Sequence, residues 1–249
     1  MPKRLIIYIK DKGGCGASFA CVAHAALLRR AGLKPLLVDT DGEIGHLRRN
    51  FPVDDVRSFS FHAKESDRVD FAEILDEGRE IVLVDMPAAS LTLMGKIERD
   101  YGFVALAHRA GYAVTFVCVG TPDPASLYAI EGAAELDEDA SLIFVRNHGF
   151  GENADFLVWD GSAEDGLPPH DGKAVLAERG GCDLHMPRLD PGTVALMSAF
   201  GITYESAPTS RLKAGRRSQI ETFLRRFESE LQKASDLTGF ATTTQAVPA

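Results

Sequence analysis

The chain has 249 residues, 45% of them apolar and 25% charged, and a formal net charge of −9. That composition supplies enough apolar side chain for a large core and excludes an intrinsically disordered chain. The negative balance excludes a protein that coats itself in nucleic acid or anionic lipid through overall charge, so any such contact must come from a local basic patch.

The first element in chain order is a strand at residues 5–9, a short apolar run that stops at Lys10. The run is too short for a signal peptide, and no stretch of about 18 apolar residues follows anywhere, so no membrane span is expected. Cys15, Cys21, Cys118 and Cys182 form no CxxC pair. Free, mostly buried thiols in a reducing cytoplasm are the expected state, and the protein is read as cytoplasmic. A Gly-rich turn follows the strand, then an Ala- and Leu-rich helix over 17–31, closed by Gly32 as a C′ residue.

Further strands are expected at 35–38, 80–84, 113–119 and 141–145, each nearly continuous in apolar residues. Continuous rather than alternating hydrophobicity marks strands covered on both faces, as in a parallel sheet between helix layers. Residues 43–80 carry no strong strand signal and are expected to hold a loop and one or two helices. Residues 153–172, with Gly, Pro and Asp, read as a loop excursion. A helix-rich region is expected over 173–200 with a short strand at 183–186, and a last helix over 216–234. Alternating strand and helix gives an α/β class: a doubly wound, mostly parallel sheet with helices on both faces. No internal repeat or linker interrupts it. A single domain is expected over 1–236, with 237–249 a frayed polar tail.

The turn after the first strand reads KGGCGAS at 12–18. A buried strand running into such a turn and then a helix aims backbone N–H groups and a helix N-terminus at one spot, where an anion is stabilised. Glycine is needed where a side chain would block the approach or where φ is positive. The loop resembles the K-G-G-x-G-K-[ST] loop of the deviant Walker A P-loop ATPases, the ParA/MinD family, in its TraL-like conjugation and partition branch. The second expected strand ends in Asp39 and Asp41, similar to that family's D-x-D motif. The third ends in Asp85-Met86-Pro87, similar to its D-x-P form of the Walker B strand. Asn147, after the strand at 141–145, resembles the family's adenine-recognising Asn; Asn before His-Gly is also a common turn residue.

The resemblance implies a Rossmann-like P-loop fold and a site for ATP and Mg²⁺. Gly13, Gly14, Cys15, Gly16, Ala17, Ser18 and Asn147 would line the nucleotide. Ser18 and Asp85 would hold the metal, Asp85 through water. Asp41 would position the attacking water, and Lys12 would reach across a dimer to the partner's nucleotide. It also implies a homodimer, or a heterodimer with a related ATPase, that engages DNA or a partner protein of a partition or transfer system. The function so implied is an ATP-binding switch in plasmid or chromosome partition or conjugative DNA transfer. The alternative is an inactive pseudo-ATPase serving as adaptor or scaffold.

Two residues depart from the pattern. Ala17 stands where the principal phosphate-binding lysine would be, and Asp11 where a glycine would be. A lost charge-assisted hydrogen bond weakens binding by about 1.5–3 kcal/mol and removes positive charge where phosphoryl transfer develops negative charge. Weak or absent hydrolysis is therefore expected. Replacement charge has three sources: Lys12 in cis; Lys10, which strand alternation is expected to aim elsewhere; or a partner subunit. Cys15, near a helix N-terminus, is in a position that can lower a thiol pKa.

From 211 to 233 the chain carries seven basic and three acidic side chains. Ile220, Phe223, Leu224, Phe227 and Leu231 fall on one helical face, a stripe that most simply packs on the body. Arg211, Lys213, Arg216 and Arg217 are the candidate DNA-contacting cluster. Acids alternating with bases, and the polar tail beyond, argue against a membrane contact.

Overall fold

A computed structural model describes residues 3–42, 45–61 and 66–243. Its strands are β1 (Lys3–Ile9), β2 (Leu36–Asp39), β3 (Val56–Ser58), β4 (Ile81–Asp85), β5 (Tyr112–Gly120), β6 (Ser141–Asn147) and β7 (Cys182–Met186). They form one sheet in the order β3-β2-β4-β1-β5-β6-β7, every neighbouring pair parallel. The helices that position the loop and cover the sheet are α1 (Ala17–Arg30), α2 (His46–Asn50), α3 (Ser66–Asp70), α4 (Ser90–Tyr101), α5 (Phe103–Arg109), α6 (Ala129–Leu136), α7 (Leu157–Asp160), α8 (Asp171–Glu178), α9 (Pro191–Phe200), α10 (Ala214–Lys233) and α11 (Ser235–Thr238).

The doubly wound class expected from the apolar runs is the observed one. From β1 the chain winds outward to β2 and β3, returns to β4 beside β1, then winds the other way through β5, β6 and β7. Right-handed crossovers running in opposite directions place their helices on opposite faces. Accordingly α1, α2, α9 and α10 share one apolar core with Ile6, Tyr8, Leu37, Leu83 and Val145. The helices α4, α5, α6 and α8 share the other with Leu5, Ile7, Ile9, Val38, Val84 and Phe144. Strands buried on both sides cannot alternate apolar with polar, which is why their sequences read as unbroken apolar runs.

Three expectations shift. β3 lies within the stretch expected to lack a strand; only Val56 of its three residues is buried, so no apolar run announces it, and parallel pairing with the edge of β2 supplies the conformation. The excursion at 153–172 is built onto the sheet: Trp159 is fully buried and stacks on Phe144 at 3.8 Å, and Arg146 pairs with both Asp160 and Asp183. Within the stretch expected as a tail from 237, Thr238 and Phe240 are buried. The stretch 244–249 of that expected tail lies outside the described residues. The apolar stripe of α10 is buried against the body. Among the described residues no helix is long and apolar enough to cross a membrane.

His24, fully buried on α1, holds the C-terminal segment to β1. Its Nδ1 lies 3.0 Å from the Tyr8 hydroxyl, its Nε2 lies 2.8 Å from the Thr238 carbonyl, and its ring stacks on Phe240. A neutral ring satisfies both bonds, with Tyr8 donating to Nδ1 and Nε2–H donating to Thr238. Burial pushes the His24 pKa down to about 4 from the ordinary 6.5. The unfolded chain therefore binds this proton more readily, so the contribution of His24 is whole above pH 6.5 and is lost as pH falls towards 4. In urea unfolding, the stability advantage of the wild type over His24→Leu should shrink by roughly 3 kcal/mol between pH 7 and pH 4; a gap that stays constant over that range would show that the ring does not titrate this way.

Candidate functional site

The C-terminal ends of β1, β2, β4 and β6 converge where the winding reverses, the position at which open α/β sheets bind ligands. Register explains which side chains meet there. Tyr8 is opposite Asp85, and Asp85 is opposite Asp39. Side chains alternate along a strand. Ile6 and Tyr8 face α1, so Lys10, two residues on, faces α1 as well; Leu83 places Asp85 on that face, Leu37 places Asp39, and Val145 places Asn147.

Between β1 and α1 the loop turns through Gly14 at φ +85° and Gly16 at φ +90°, left-handed conformations that an L side chain rarely adopts. Gly16 is the N-cap of α1 and has no side-chain cap. The first-turn N–H groups of α1 therefore face the loop without a side-chain acceptor from the cap, which is the geometry of an anion site. Open space lies where a Gly14 Cβ would stand, whereas a Cβ at Gly16 would overlap the Asn147 amide. A Cβ at Gly13 would stand 4.0 Å from the Ala88 Cβ, in the β4–α4 turn, an ordinary contact.

That turn also fixes Lys10. The Ser90 hydroxyl, fully buried, accepts from the Lys10 N–H at 2.6 Å and donates to the Lys10 carbonyl at 2.8 Å. The Lys10 side chain, 9% exposed as a residue, donates from Nζ to Ser18 Oγ and to Asp85 Oδ1, the latter at 3.2 Å. Ser18 donates to the same Oδ1 at 3.0 Å. The expectation that alternation aims Lys10 elsewhere is thus corrected: the parity it shares with Tyr8 delivers its ammonium to the first turn of α1. Asp85 Oδ2 is buried with no hydrogen-bond partner among the described residues. Burial pushes the Asp85 carboxyl up to about 6, against the opposing pull of the Lys10 ammonium and the Ser18 hydroxyl.

The remaining expected residues take varied positions. Ala17, 1% exposed, opens α1 and brings no charge. Asp11 is exposed, and its carbonyl accepts from Ala89, itself in the left-handed region at φ 59°. Lys12 lies on the outer rim, where its ammonium pairs with Asp123 rather than with Ser18 or Asp85. Asp39 is fully buried: its Oδ1 accepts from Asp41 N–H, and its Oδ2 accepts from the N–H groups of Leu47 and Arg48 at the start of α2. Asp41 is half-buried just beyond β2 and bridges Ser60. Asn147 donates to the Cys15 carbonyl at 2.8 Å and accepts from Gly149 N–H at 2.9 Å, bracing the loop from β6. Cys15 is buried, and burial raises its thiol pKa, the reverse of activation by the helix terminus.

Two participants escape a sequence reading: Ser90, and Thr40, whose hydroxyl donates to the Asp85 carbonyl oxygen at 2.8 Å. Neither belongs to a motif with a fixed spacing to the loop. In the basic cluster, Arg216 is tied to Asp190 and Thr193, and Arg217 donates to the carbonyls of Ser210 and Leu212. The Arg211 guanidinium lies 3.6 Å from the centroid of the Phe200 ring, and Lys213 is the exposed N-cap of α10.

The donor set can be tested against the expected Mg²⁺. Mg²⁺ requires oxygens at about 2.0–2.1 Å in octahedral array. Ser18 Oγ and Asp85 Oδ1 are brought together as expected, but both already take hydrogens from Lys10. What is left is Asp85 Oδ2, a single walled-in oxygen. The site as it stands fits an ammonium and not a divalent cation.

No protein-family model and no curated protein matches the chain. Among solved structures, 95% of the chain aligns with 98% of the septum site-determining protein MinD from Pyrococcus horikoshii OT3, complexed with Mg-ADP, at 17% identity and a TM-score of 0.55. It also aligns with the MinC:MinD cell division protein complex of Aquifex aeolicus, at 16% identity over 91% of this chain and 96% of that one, TM-score 0.48. A putative plasmid partition protein of Borrelia burgdorferi B31 bound to AMPPNP aligns at 13% identity over 93% of this chain and 99% of that one, TM-score 0.45. The likeness to the Pyrococcus MinD is one of fold: this chain shares its α/β architecture, here with a seven-stranded, all-parallel sheet.

The two left-handed glycines separate backbone strain from crowding. Gly14→Ala should destabilise by about 1–2 kcal/mol, the strain of a left-handed L residue alone. Gly16→Ala should cost more, because its methyl also displaces Asn147 from Cys15. Urea denaturation of both variants checks the order; equal losses would mean that Asn147 yields without resistance.

Proposed function

We propose that this chain is a nucleotide-binding switch protein of the ParA/MinD kind, with weak or degenerate ATPase activity, acting in plasmid or chromosome partition or in conjugative DNA transfer. The observation that carries the reading is the loop with left-handed Gly14 and Gly16 between β1 and α1, floored by Lys10 and Ser18. Phosphate oxygens would lie against the loop N–H groups and the N-terminus of α1. Lys10 would supply the positive charge that Ala17 lacks. Motif order along the chain supports the assignment: KGGCGAS after β1, Asp39 and Asp41 after β2, Asp85-Met86-Pro87 after β4.

Binding and turnover separate at this site. Phosphoryl transfer needs cations placed against the transferred group and a positioned water. Ala17 contributes no cation, and Lys12 is paired with Asp123. Hydrolysis is therefore slow or absent, and nucleotide acts by stabilising one conformation or a dimer, with this chain or with a related ATPase as the second subunit. If the chain meets DNA directly, Arg211 and Lys213 would carry the contact, since Arg216 and Arg217 hold the start of α10 in place.

A second reading, an adaptor that has abandoned nucleotide, is favoured by one observation: Lys10, Ser18 and Asp85 close on one another without a ligand. A thermal-shift titration with ATP, ADP and a non-hydrolysable ATP analogue separates the two. A ligand at ten times its Kd stabilises the native state by about 1.4 kcal/mol, or a rise of roughly 3–6 °C for a chain of this size. A rise in the wild type, with no phosphate release from ATP, is the expected result. No rise in the wild type together with a clear rise in Ala17→Lys would transfer the conclusion to the adaptor.

A further inference from the structure

We propose that the loop binds its phosphate ligand without a divalent cation, the Lys10 ammonium standing in the place of a metal between the Ser18 hydroxyl and the Asp85 carboxylate. The ligand class is a metal-free nucleoside di- or triphosphate. The inference rests on the nucleotide-binding reading above and specifies how that site works.

The geometry leaves room for one cation on these oxygens. Lys10 Nζ donates to Ser18 Oγ and to Asp85 Oδ1, and Ser18 itself donates to Oδ1. A Mg²⁺ ion on the same pair would have to displace those hydrogens and lie a few ångströms from an ammonium, where two cations repel strongly at low dielectric. Withdrawal of Lys10 is resisted on two counts. Its backbone is held by Ser90 on both its N–H and its carbonyl. Its departure would also leave the Asp85 carboxylate, 1% exposed, without its ion-pair partner, and an unpaired buried charge is strongly unfavourable.

The ammonium has one further N–H to offer. Lysine carries three donors, and among the described residues two acceptors are in place. The third suits a phosphate oxygen lying in the loop. Ala17 and Lys10 then belong together: a lysine at position 17 as well would bring a second ammonium to the same phosphates, whereas the alanine, packed in the apolar core on the α1 side, brings none. Two of the usual charges on a bound nucleotide, a loop lysine and a metal, are replaced by one fixed lysine. Without a metal to neutralise the leaving group, a bound triphosphate is retained rather than cleaved. The switch would follow nucleotide concentration rather than a hydrolysis clock.

Isothermal titration of the wild-type protein with ADP and with ATP, in excess Mg²⁺ and separately in excess EDTA, tests this directly. The expected result is a Kd in EDTA equal to or tighter than that in Mg²⁺. Lys10→Met should weaken binding in EDTA by about tenfold to a hundredfold, the loss of one charge-assisted hydrogen bond, and should make Mg²⁺ favourable. Circular dichroism melting checks that this variant is folded, and the wild-type comparison decides even if it is not. Wild-type binding that tightens tenfold or more on adding Mg²⁺ would overturn the inference while leaving nucleotide binding intact, as would a folded Lys10→Met that binds in EDTA like the wild type. No binding of either nucleotide in either buffer would remove the nucleotide-binding reading, and this inference with it.

Discussion

A sheet buried on both faces gives its strand ends little water, so every polar side chain at the C-terminal edge must find a partner inside the protein. The site is the sum of those solutions. Asp39 turns its carboxylate onto the N–H groups at the start of α2. Asn147 uses its amide to hold the Cys15 carbonyl. Asp85 meets Lys10 and Ser18. All face α1, because register and alternation place Tyr8, Leu37, Leu83 and Val145 on that side. Local hydrogen bonding and the candidate site are thus one arrangement.

Within it, Asp85 is the least satisfied member. One oxygen takes two donors and the other takes none among the described residues. A buried acceptor without a partner costs about 1–3 kcal/mol, and the raised pKa of the carboxyl expresses the same imbalance. Residual strain of this kind collects where a protein keeps a site ready for something else. The neighbouring Asp39, with three backbone donors, has no such deficit and acts as a brace. Two carboxylates at equivalent strand ends, opposite one another in the register, therefore differ in role because their partners differ.

The two flanks of the loop show the same economy of charge. Lys12 and Asp123 neutralise each other on the rim, whereas Lys10 and Asp85 do so at the floor. An exposed pair of the first kind contributes little to stability. The buried pair is different: removing either partner alone would leave the other charge stranded. Ser90, on the turn after β4, is what makes the floor rigid, since it grips the Lys10 backbone from both sides.

The sequence by itself determined the parallel α/β class, six of the strands to within one or two residues, and the loop after β1. These follow from unbroken apolar runs and from glycines placed between a strand and a helix, which are local signals. β3 and the burial of Trp159 were not legible, because pairing partners far along the chain supply what their own residues do not announce. The tertiary structure alone decided the fate of the lysines. Both Lys10 and Lys12 flank the loop, and nothing in their spacing says which one is buried. Strand parity sends Lys10 to α1, and a turn eighty residues away, through Ser90, holds it there; Lys12, past the strand end, meets Asp123 at the surface. Whether a positive charge reaches the first turn of α1 is a question of packing across the sheet, and a chain read in order carries no term for that.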